Sequence, residues 1–169
     1  MERVISTKDF EYYTHLRKII FDLEVADKEH WWLISDIEAN PHKEKYQNLI
    51  YQQDYLLIKT SDLIKMLEED DFQWIWAIFS LIPFEYTEEE ILKHKLPHLH
   101  DIEEGEYNPY TDTPKLQHPL AEFELYAEDS SSMFLISDNE ELLNRFKKSY
   151  PNFIVEYEWS KTTLSKRWY

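Results

Sequence analysis

Apolar residues recur along this chain with two periods, and each period predicts a different kind of element. Phe10, Tyr13, Leu16, Ile20 and Leu23 are spaced by three, three, four and three residues, which predicts a helix capped by Ser6 or Thr7 with Asp9 in its first turn. Trp31 to Ile37 predicts a strand, closed by the Asn40-Pro41 turn. Tyr55 to Lys59 predicts a short buried strand or the lead into a helix. That helix opens at Ser61-Asp62 and carries Leu63, Ile64 and Leu67 on its apolar side. The acids Glu68 to Asp71 oppose the macrodipole at a helix C-terminus, so the helix is expected to stop there. Phe72 to Ile82 is apolar on both alternating sides and predicts a strand covered on two faces. A buried helix is the rival, but the aromatics and Pro83 favour the strand.

Thr87-x-x-Glu90 has the form of a capping box and predicts a short helix through about Lys93. From Lys95 to Pro119 the periodicity is lost, Pro97, Pro109, Pro114 and Pro119 intervene, and acids outnumber bases. Irregular connections of such length in compact domains are generally functional or disordered. Leu120 to Ala127 and Met133 to Ser137 predict a hairpin about the turn Glu128-Asp129-Ser130-Ser131. Asp138-x-x-Glu141 caps a helix that buries Leu142, Leu143 and Phe146. Tyr150-Pro151-Asn152 ends it, and Phe153 to Trp159 is the last strand. A strand–helix–strand unit from Met133 to Trp159 implies a right-handed crossover between parallel strands. The fold class that follows is α+β (or α/β): a single domain over residues 1–169 with a mixed β-sheet, helices packed on it, a C-terminal β-hairpin plus βαβ unit, and a long irregular connection at about 95–119. A division into halves near Pro83 to Pro119 is the less favoured alternative.

Composition narrows the chemistry. The chain has no Cys, which removes disulfides, thiolate nucleophiles and Cys-based metal sites. Its one glycine, Gly105, lies between acids. A P-loop, a dinucleotide fingerprint and a Gly-x-Ser-x-Gly elbow are therefore absent. Six Trp, twelve Tyr and nine Phe suit a core and also an interface. No apolar run reaches the roughly 20 residues of a membrane span, and residues 1–10 do not resemble a signal peptide, which points to the cytoplasm. Lys and Arg number 18 against 34 Asp and Glu, a formal net charge of −16. Such a field repels nucleic acid and anionic membrane and attracts cationic partners; it also serves solubility.

Four constellations stand out. Alternation puts Glu122, Glu124 and Tyr126 on one side of a strand and Glu156 and Glu158 on one side of the last. A common exposed acidic face is therefore expected, with an ordinary solvated face as the alternative. The loop with Glu103, Glu104, Glu106, Tyr107 and Tyr110 is a second partner-binding surface. His98, His100 and Asp101, near His94, are an alternative divalent-metal set, opposed by Lys93 and Lys95 beside them. The tail Ser160 to Tyr169, with Lys161, Lys166 and Arg167 and no acid, is expected to fold back on the chain's own glutamates.

The stretch Glu122 to Ser137, with its Asp129-Ser130-Ser131 turn, followed by Asn139 to Phe146, resembles a strand–turn–strand–helix pattern of small bacterial α/β proteins. Some of these are like immunity proteins of toxin systems. That resemblance implies an inhibitor or immunity role toward a basic protein such as a nuclease toxin. The same turn also has a local explanation in Asp and Ser side-chain bonding. No catalytic residues and no cofactor emerge, and binding is favoured over catalysis. A metal-dependent enzyme on the histidine set and an interaction module, homodimeric through exposed aromatics, are the alternatives.

Overall fold

A computed structural model of the chain describes residues 1–6, 14–100, 102–103, 105–129 and 132–155. Its strands are β1 (Glu2–Ser6), β2 (His30–Asn40), β3 (Tyr55–Lys59), β4 (Gln73–Pro83), β5 (Phe123–Glu128), β6 (Ser132–Ser137) and β7 (Phe153–Val155). Its helices are α1 (Leu16–Asp22), α2 (Glu44–Tyr51), α3 (Thr60–Glu69), α4 (Glu88–Leu92) and α5 (Glu140–Ser149). The strands form one sheet in the order β3-β2-β4-β5-β6-β1-β7, an α+β architecture.

Every neighbouring pair of strands is antiparallel. The expected mixed sheet is corrected on this point. β6 and β7 do run in the same direction, but β1 lies between them and pairs antiparallel with both. β1 also replaces the expected cap at Ser6, which ends a strand, while Thr7, Asp9, Phe10 and Tyr13 fall outside the described residues. The helix that follows begins at Leu16.

One face of the sheet presents Trp32, Ile34, Phe79, Leu81, Phe123, Leu125 and Leu135 to the apolar sides of α1, α2, α3 and α5. The other presents Ile78, Tyr126, Phe134 and Ile136, with Leu33 and Ile82 nearer β2. This second face is covered by α4 and by the irregular segment 93–121, through Ile91, Leu99, Tyr110 and Leu116. The two-sided apolar pattern of β4 thus has a physical cause, since both faces are buried.

Helix ends use partners distant in sequence. The α4 capping box is present as read, with the Thr87 hydroxyl and the Glu90 carboxylate each taking the other residue's backbone N–H. At α3 the cap is not Ser61-Asp62. The helix starts at Thr60, and Glu29 accepts from both the amide and the hydroxyl of Ser61. At α5 the cap is Asn139, one residue past Asp138. The amides of His42 and Lys43 at the start of α2 donate to Asp70 Oδ2 at 3.0 and 2.8 Å. The acid run closing α3 is likewise engaged: Glu68 with Arg17, Glu69 with Lys45, Asp70 with His42 and Asp71 with His15.

Candidate functional site

The described residues of the segment 95–121 are held over the sheet by side chains that satisfy their backbone. A structureless chain over a sheet would bury unpaired N–H and C=O groups, which is costly. Ser35 Oγ donates to the Pro97 carbonyl at 2.7 Å. Asp36 Oδ2 accepts from the amides of Leu99 (2.6 Å) and His100 (3.0 Å) and pairs with the His100 ring at 2.9 Å. Arg3, buried in β1, donates to the carbonyls of Tyr110 (3.3 Å) and Asp112 (2.9 Å). Burial works to raise the Asp36 carboxyl, but the His100 ring and the two amides outweigh it and hold it below the usual carboxylate range.

Glu124 and Tyr126 belong to this buried layer, which corrects the expected exposed acidic face. Alternation along β5 does put Glu124 and Tyr126 on the side opposite the helices, but that side is not solvent. Both residues are fully buried under the segment. Glu124 accepts from the amides of Gln117 (2.9 Å) and His118 (2.7 Å) and from the Tyr126 hydroxyl. Burial raises the Glu124 carboxyl above its ordinary range against these hydrogen bonds, and burial beside Glu124 raises the Tyr126 phenol. His118 donates Nε2–H to the Ile91 carbonyl at 3.2 Å and accepts the Leu120 amide at Nδ1. Burial lowers its pKa and keeps the ring neutral.

The other predicted residues scatter. Glu122 is exposed at one end of β5, 3.6 Å from His30. It lines a cleft of about 360 Å³ with Glu24, Asp27, Glu141 and Arg145. Glu103 is exposed, whereas Glu106, Tyr107 and Tyr110 are half-buried. Glu106 pairs with Lys95 and with His98, and Lys95 chiefly, then the Glu103 amide and His98, bring its pKa to about 2. The Tyr107 hydroxyl accepts the Lys115 amide, and the Tyr110 ring packs on Phe134. Glu104, Glu156, Glu158 and the tail Ser160 to Tyr169 lie outside the described residues.

The histidine set does not converge. His98 turns to Glu106, His100 to Asp36, and His94 to the ring of His118, while Asp101 lies outside the described residues. Among the described residues no group of three or more His, Cys, Asp or Glu could hold a metal ion. No helix is long and apolar enough to cross a membrane among those residues.

A larger cleft, about 680 Å³, opens where the start of the irregular segment leaves the bulge of β2. Its polar lining includes Asp36, Asp54, Lys95 and His98, and its apolar lining Ile37, Ile50, Leu96 and Pro97. The volume is within the range of small-ligand pockets. Of these residues the sequence marks only His98, as part of the histidine set, and Asp36 carries no signal beyond its place in the Trp31 to Ile37 strand. Asp54 gave no such signal. No protein-family model, curated protein or solved structure matches the chain.

Proposed function

We propose that this chain works by binding a basic protein, as an inhibitor or immunity-type protein binds a cationic nuclease, and not by catalysis. The observation that carries the reading is the charge: 34 acids against 18 bases. Internal pairing does not remove the excess. Lys18, Lys45, Lys95, Arg145 and Lys147 are each paired with an acid of the chain. Asp27, Glu85, Glu88 and Glu89 are exposed and form no ion pair among the described residues. Free carboxylates on a rigid frame steer a positive partner and accelerate encounter.

The test is association kinetics of the full chain with a panel of basic nucleases and with the product of the adjacent reading frame, at low and physiological salt. A partner is expected whose on-rate falls about tenfold or more as salt screens the field. The quadruple variant Asp27→Lys, Glu85→Lys, Glu88→Lys, Glu122→Lys is expected to slow it further. If no basic protein associates even at low salt, or if binding ignores both salt and charge reversal, the reading fails.

A further inference from the structure

His118 holds the end of the irregular segment through both nitrogens of its ring, and the ring is fully buried. A carbonyl can only accept and a backbone N–H can only donate, so the two partners fix the tautomer. Nε2 carries the proton, toward the Ile91 carbonyl of α4 at 3.2 Å, and Nδ1 is the bare acceptor of the Leu120 amide at 3.3 Å. A second proton has one place to go, Nδ1, where it would stand against the Leu120 N–H. The cationic ring and the clasped backbone are therefore incompatible. What the clasp holds shut is apolar: Leu120 and Ala121 pack on Trp31, Leu33, Ile82 and Ile91. No neighbouring charge stabilises the cation. His94 meets the ring edge-on at 5.3 Å, and a charge on it repels one on His118. The charged side chains of α4 and its end, Glu88, Glu89, Glu90 and Lys93, are exposed and form no ion pair with it among the described residues. His30 of β2 faces Glu122 instead. From β5, Glu124 takes the His118 backbone amide at 2.7 Å, not the ring.

We propose that His118 is an acid-sensitive clasp, which ties residues 118–121 to α4 while its ring is neutral and releases them when the ring takes a second proton. The sign follows from linkage. In the closed state burial holds the ring below the ordinary 6.5, and once opened the ring is free to titrate at that value. Opening is thus coupled to proton uptake and becomes more favourable as the pH falls below 6.5. While the closed ring stays neutral, the gain at pH 5 is about thirtyfold. Glu124 acts in the opposite sense, since its buried carboxyl binds a proton more tightly in the closed state than when freed. The two grips use different atoms of the segment. The His118 ring holds the Leu120 amide, and Glu124 holds the amides of Gln117 and His118. The clasp makes no use of the excess charge and is independent of the proposed function.

The experiment follows amide exchange of the ¹⁵N-labelled full chain between about pH 8 and pH 5, each rate divided by its intrinsic value, in wild type and His118→Gln. Ring ¹⁵N shifts of His118 in the wild type read its tautomer and charge directly and need no variant. Protection of the Leu120 and Ala121 amides is expected to fall about thirtyfold relative to His118→Gln, which shares the Glu124 contribution but has no ring to protonate. The ring is expected to be the Nε2–H tautomer and to gain charge only in step with that loss. His94→Gln is expected to keep the effect. A ring that titrates near 6.5 with Leu120 protection unchanged would overturn the clasp. So would the Nδ1–H tautomer, an equal pH response in His118→Gln, or a response that disappears in His94→Gln.

Discussion

Glu24 (φ 55°), Asp36 (φ 52°) and Asp129 (φ 47°) hold backbone conformations that favour glycine, in a chain with a single glycine. The same strain has different justification at two of them. Glu24 ends α1 in a Schellman-type turn, with Glu24 N–H to Phe21 and Val25 N–H to Ile20, bonds that need no side chain. Its carboxylate, 65% exposed, reaches Arg145 at 3.2 Å, a surface pair worth about 0–1 kcal/mol. A non-glycine left-handed residue costs roughly 1–2 kcal/mol, partly offset by the extra chain entropy that glycine must lose. Glu24→Gly is therefore expected to leave stability unchanged or slightly higher in urea melts. At Asp36 the carboxylate anchors two amides and a ring of the irregular segment. Hydrogen bonds to a charged group contribute about 1.5–3 kcal/mol each, so relief of strain cannot compensate, and Asp36→Gly is expected to cost about 2 kcal/mol or more. Equal effects at the two sites would refute this division of roles.

The irregular segment behaves as an element although it has no repeating structure, because two carboxylates grip it at separate places. Glu124 is the deeper of them. In Glu124→Gln one amide oxygen can still accept an N–H, but the new NH₂ meets a donor and leaves one of the Gln117 and His118 amides orphaned, at about 1–3 kcal/mol. The pH dependence has a definite sign. The folded carboxyl titrates above the ordinary 4.5, so its stabilising contribution is complete below that pH and declines as pH rises toward the folded value. The wild type's advantage over Glu124→Gln should shrink on going from acid to neutral pH. Amide exchange should quicken at Gln117 and His118 while Leu99 and His100, held by Asp36, keep their protection; a variant whose advantage grows with pH would contradict the burial argument. Such long-range grips also explain what the sequence could and could not reveal. Trp31 to Ile37, Phe72 to Ile82 and the Thr87–Glu90 box carry their signals locally, and each became the expected element. β1 is five residues whose partners, β6 and β7, are more than a hundred residues away. α2 takes its N-terminal hydrogen bonds from Asp70, so no capping residue precedes it. Alternation assigned Glu124 to a face but could not show that a proline-rich segment lies over that face.

For the whole molecule, electrostatics pulls stability and association in opposite directions. A formal charge of −16 on 169 residues means that most carboxylates see a net repulsive field, which opposes the compact state. The attractive pairs, such as Arg17 with Glu68 or Lys45 with Glu69, are substantially exposed and contribute about 0–1 kcal/mol each. Salt weakens both, but the repulsion is summed over many distant pairs. Those are the first to be screened as the Debye length falls to about 10 Å near 0.1 M. The excess repulsion therefore decides the sign, and adding sodium chloride from about 0.01 to 0.15 M is expected to raise the melting temperature. A gain of about 1 kcal/mol corresponds to roughly 2–4 °C for a chain of this size. A thermal scan in that range checks it, before ion-specific effects set in. Were the midpoint to fall, the surface pairs would outweigh the field, and the acids would be structural partners more than free charge. A midpoint that rises, in the same salt range in which association with a basic protein slows, would instead indicate that one excess of charge both strains the fold and draws the partner.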